Sequence, residues 1–115
     1  MGINNSQVCI FATEMTATVS GAVIPVATAA GIAGLAQNPV MLIFDNQGTV
    51  PIAIYVNGTA AENLWRTFPG GEALVLDMRG NSGIAPNFTP ATGTTFFANG
   101  ASGTFSISYT YAQKQ

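Results

Sequence analysis

Catalysis and metal binding need paired or polarised side chains, and this sequence holds few. It has no histidine, so the commonest general base and the commonest metal ligand are both missing. Glu72 and Asp77 fall on opposite faces of one extended segment and cannot act as a pair. Asp45 and Glu62 are separated by a hairpin and meet only if tertiary structure brings them together. A glycosidase would need two such carboxylates across an aromatic-lined cleft. Asp77 and Arg79 read as an i, i+2 surface pair. Cys9 is the single cysteine, which excludes an intrachain disulfide and a thiolate zinc site. Its setting, VCIF, reads as a buried structural thiol. Trp65, in ENLWRTF, reads either as an exposed anchor for a sugar or a protein, or as a half-buried cap on one end of the core. No nucleophile elbow, phosphate loop or dinucleotide fingerprint occurs, and the glycine-rich stretches stand in turns that lead into strands. The expectation is a non-enzymatic protein with no cofactor and no metal.

The composition points the same way. Apolar residues make up 48% of the chain, enough for a core, while charged residues make up only 7% against about 25% in ordinary globular proteins. Threonine, asparagine, serine and glycine take their place. Three widely spaced cations and a net charge of −2 give no electrostatic footprint for nucleic acid or an anionic membrane. So weakly charged a surface lacks the repulsion that keeps copies apart, and it suits a protein packed against other subunits. No Lys or Arg precedes Arg66, so no basic region of the signal-peptide kind is expected at the start. The apolar run Ala22–Ala36 is too short, and too broken by Pro25 and its glycines, to span a bilayer. The asparagines of NNS, NGT and NFT read as ordinary turn and surface residues. One domain over residues 1–115 is expected, with 1–6 a flexible arm.

Strand signals dominate. Gln7–Val19 is rich in β-branched residues and reads as one long strand or two with a bend. Val40–Asp45 reads as a strand buried on both faces. Pro51–Asn57 alternates, with Ile52, Ile54 and Val56 on the inward side. In Glu72–Arg79 the inward row is Leu74, Leu76 and Met78. Thr94–Asn99 follows the long loop Gly80–Gly93, whose length marks it for a contact. Thr104–Ala112 alternates most cleanly, placing Phe105, Ile107, Tyr109 and Tyr111 in the core and Thr104, Ser106, Ser108 and Thr110 on a polar outer face. Ser20–Gln37 fits either a small helix around Ala29–Ala36 or an extended arm. Together these segments predict an all-β fold, an antiparallel β-sandwich of jelly-roll or immunoglobulin-like topology with roughly six to eight strands.

The order of motifs resembles a known group. An apolar strand ending in NQG, then TVPIAIYVNG, FPGGEALVLD and TTFFANGASGTFSISYTY, is similar to small virion proteins of tailed bacteriophages over Val40–Ala112. That resemblance implies a β-sandwich virion protein, chiefly a capsid decoration or cement protein that clamps neighbouring coat subunits. Its expected partners are further copies of itself, a trimer before a dimer, and the phage major capsid protein or other virion subunits. A tail, portal-vertex or fibre-base accessory is the alternative within that class. A carbohydrate-binding module using Trp65 and loop tyrosines is the alternative outside it. The expected interface residues are Ile3 on the amino-terminal arm, Ile84, Pro86, Asn87 and Phe88 in the long loop, and Trp65.

Overall fold

Alternating β-branched and aromatic residues build two antiparallel sheets. The structure, a computed structural model, describes residues 8–78 and 90–113. Its strands are β1 (Val8–Phe11), β2 (Met15–Val19), β3 (Ile24–Pro25), β4 (Met41–Asn46), β5 (Ile52–Val56), β6 (Leu64–Phe68), β7 (Ala73–Asp77), β8 (Phe96–Asn99) and β9 (Gly103–Gln113). In one sheet β9 pairs with β1 and β2 on one side and with β4 on the other, and β4 pairs with β7. The second sheet runs β3-β8-β5-β6.

Phe11 stands opposite Thr110 and Met15 opposite Ile107, so four steps on the first segment meet three on β9. Ala12–Glu14 is therefore a bulge-like interruption of one long strand. With β1 and β2 counted as that single strand, the two sheets are ordered 1-8-3-6 and 2-7-4-5, the arrangement of a jelly roll. The expected sandwich is present. Its named strands number nine because the first is split and Ser20–Gln37 contributes the two-residue β3.

The inward rows match the alternation in the sequence. Ile52, Ile54 and Val56 of β5, Phe105, Ile107 and Tyr109 of β9, and Leu42 and Phe44 of β4 are all buried. Phe44 lies 5.6 Å from Phe96 and 5.9 Å from Phe68, and Phe68 lies 5.0 Å from Phe105, measured between ring centroids. Each such ring removes enough apolar surface from water to contribute roughly 1.5–3 kcal/mol.

Three expectations are corrected. The outward face of β4, with Met41, Ile43 and Asp45, is only half-buried, because no layer of described structure covers that side. Residues 29–36 form no helix. Gly31 and Gly34 take φ of +86° and +92°, and Ala27 bridges both Thr16 and Ala33, so this segment folds back as an irregular hairpin. Ser106 and Thr110 are buried at 3% and 5% exposure although they point away from the core. The register explains it: Ser106 sits between Thr16 and Asp45, and Thr110 between Phe11 and Met41. A small side chain on a central strand is covered by larger neighbours on either side.

A buried amide ties the two sheets together at one end. Asn46, fully buried at the end of β4, donates from Nδ2 to the carbonyls of Val50 at 2.9 Å, Phe68 at 2.9 Å and Pro69 at 3.1 Å. Its Oδ1 accepts from the Gly48 amide at 3.0 Å. One side chain thus holds the β4–β5 turn and the β6–β7 turn against each other. The turns meet backbone to backbone, and a Cβ at Gly70 would lie 2.4 Å from the Thr49 carbonyl carbon. Glycine is required there by space, since its φ is unremarkable.

Two predictions follow from this packing. Asn46→Ala removes the shared donor from the Val50, Phe68 and Pro69 carbonyls, of which Pro69's keeps the Glu72 amide, and is expected to cost about 2–4 kcal/mol in denaturant unfolding. Asn46→Asp is expected to be at least as damaging at neutral pH, because a carboxylate has no donor to offer three carbonyls. Its deficit relative to Asn46→Ala shrinks as the pH falls, since the protonated carboxyl regains one donor. A mild effect of both changes would contradict the role given to Asn46. On the outer face, the Thr110 hydroxyl is buried without a hydrogen-bond partner. Thr110→Val is expected to stabilise by about 1 kcal/mol, whereas Ser106→Ala, which loses the bond from Gln47 Nε2 at 3.2 Å, costs about as much. Thermal unfolding reads both, and a destabilised Thr110→Val would show that the hydroxyl has a partner.

Candidate functional site

The jelly roll has two unlike ends. At the Asn46 end, turns pack glycine on backbone: a Cβ at Gly48 would approach Gly103 Cα to 3.2 Å, and one at Gly100 would approach the Pro51 carbonyl oxygen to 3.0 Å. The opposite end is open. There the β1–β2 interruption, the far part of β9 and the 28–37 loop surround a cleft of about 220 Å³. Phe11, Thr13, Met15, Thr28, Ile32, Gln37, Tyr109 and Tyr111 all contribute to its wall.

The cleft is shaped by short-range rules. Thr28 closes the tip of its loop, accepting the Gly31 amide on its carbonyl at 2.8 Å and the Ile32 amide on Oγ1 at 3.2 Å. The Tyr109 hydroxyl accepts the Ala36 amide at 3.0 Å and donates to Gln37 Oε1 at 3.0 Å. No wall residue is charged. Two large apolar side chains stand exposed at this end, Phe11 at 69% and Ile32 at 58%. The loop tip 29–33, AAGIA in sequence, is exposed at every position. An apolar loop exposed in full is unusual enough to mark a contact.

Elsewhere several asparagines bond to the chain itself. Asn57, with φ of +62°, accepts the Thr95 amide at 3.0 Å, and Asn63 donates to the Val56 carbonyl at 3.0 Å. Asn38 Oδ1 accepts both the amide of Thr92, at 2.8 Å, and its hydroxyl, at 3.1 Å. The charges are used sparingly. Arg66 pairs with Glu72 at 2.7 Å while its guanidinium lies 4.4 Å above the Phe68 ring. Both side chains of that pair are about one-third exposed, so the pair adds little stability.

Of the residues expected at an interface, Ile3, Ile84, Pro86, Asn87 and Phe88 lie outside the described residues, as do the 1–6 arm and Arg79. Trp65 is described. It is half-buried against the core on β6, an outer strand of its sheet, with its ring 4.9 Å from Phe44 and 5.8 Å from Phe68. Cys9 corrects its expectation: it is exposed on β1, because register with β9 places its neighbour Ile10, opposite Tyr111, on the core side. Among the described residues no group of three His, Cys, Asp or Glu side chains lies together to hold a metal ion. No helix among them is long and apolar enough to cross a membrane. Phe11, Ile32 and Gln37 were not anticipated from the sequence. The one available signal was the alanine-glycine run itself, in which Ile32 stands between Gly31 and Ala33.

No family model, curated protein or solved structure matches the chain. The exposed thiol gives a direct check on β1. Cys9 in the native protein is expected to react with an aromatic disulfide reagent as completely as it does after denaturation. Protection of the native thiol would mean that β1 lies one residue out of register.

Proposed function

We propose that this chain is a non-enzymatic structural subunit of a tailed-phage virion, a decoration or cement protein that binds between coat subunits. The observation that carries the reading is a jelly roll with almost no charge, in which Asn38, Asn46, Asn57 and Asn63 are bonded within the chain and an apolar loop and cleft stand exposed at one end. Such a surface gains little from solitary life in water and much from burial against neighbours. Jelly rolls recur in viral capsids, though also in lectins and other proteins, so the fold supports the reading only by analogy. The motif order between Val40 and Ala112 supports it as well. The mechanism is shape-complementary burial of neutral surface, repeated over many symmetric copies of a homo-oligomer and its coat partner.

A tail, portal-vertex or fibre-base position is the same chemistry at lower copy number. A carbohydrate-binding function, expected to use Trp65 and loop tyrosines, draws less support, because the Trp65 ring is packed on Phe44 and Phe68 and Tyr109 and Tyr111 stand on strand β9. The test is quantitative mass spectrometry of purified particles from the phage whose genome encodes the chain. A copy number comparable with that of the coat protein is expected. A few copies per particle would move the protein to the tail or vertex, and its absence from particles would overturn the virion reading.

A further inference from the structure

We draw no further inference here: the strongest candidate, the outer edge of the larger sheet along β7, where Ala73 and Val75 stand exposed and pairing runs only to β4 among the described residues, carries nothing because nothing in the structure shows what covers it.

Discussion

The Asn46 amide is the constraint on which the rest of the molecule depends. A sandwich of two sheets must be closed at its ends, and turns bring polar backbone groups into contact with one another there. Here the carbonyls of Phe68 at the end of β6, of Pro69 in the β6–β7 turn and of Val50 in the β4–β5 turn converge on one buried Nδ2, with the side-chain oxygen satisfied by Gly48. Without that amide, the buried Phe68 carbonyl would lose this donor, as would the part-buried Val50 carbonyl, while the Pro69 carbonyl would keep only the Glu72 amide; a buried group left unpaired costs about 1–3 kcal/mol. A charged side chain would do worse, because one sign cannot serve both donor and acceptor roles. The end is therefore closed by a neutral group, with glycine at Gly48 and Gly70 allowing the turns to approach.

The same logic extends along the chain. Asn38, Asn57 and Asn63 each pin one segment to a neighbouring backbone, and Tyr109 does so through its hydroxyl. Amides and hydroxyls suit this work, since each can pair with backbone in a half-buried place without the desolvation cost of an ion. Many of the polar residues that stand where Lys and Glu would be usual are thus internal fastenings. The consequence falls on the surface. With so few charges to face water, Phe11 and Ile32 stand exposed at the cleft end beside a wall with no charged residue, a surface that burial against another subunit would favour.

How much of this was legible in the sequence varies with the interaction responsible. Strand alternation is local, so Ile52, Ile54 and Val56, and Phe105, Ile107 and Tyr109, could be assigned inward from their own spacing. Lateral cover is not local. The burial of Ser106 and Thr110 depends on Thr16, Asp45, Phe11 and Met41, which only the register brings alongside. Cys9 failed for a related reason: in VCIF every residue is apolar, and pairing with β9, not composition, decides which one turns inward. The 26–37 segment has no period to read, being mostly alanine and glycine, and its path is set by positive φ at Gly31 and Gly34. Asn46 stands in NQG at the end of an apolar strand, and it does end β4. That it lies beneath a second turn is a tertiary fact with no local signature.

The central claim is that this protein makes its contacts through neutral surface, by burying apolar area and not by pairing charges. Salt separates the two directly, because screening weakens charge pairs while excluded anions strengthen apolar burial. The decisive measurement is the self-association constant of the isolated protein, by sedimentation equilibrium, from low ionic strength to molar sodium chloride and then in sulfate. The account predicts a constant that holds steady in chloride and rises in sulfate. A steep fall with increasing chloride would contradict it, since the contacts would then be electrostatic.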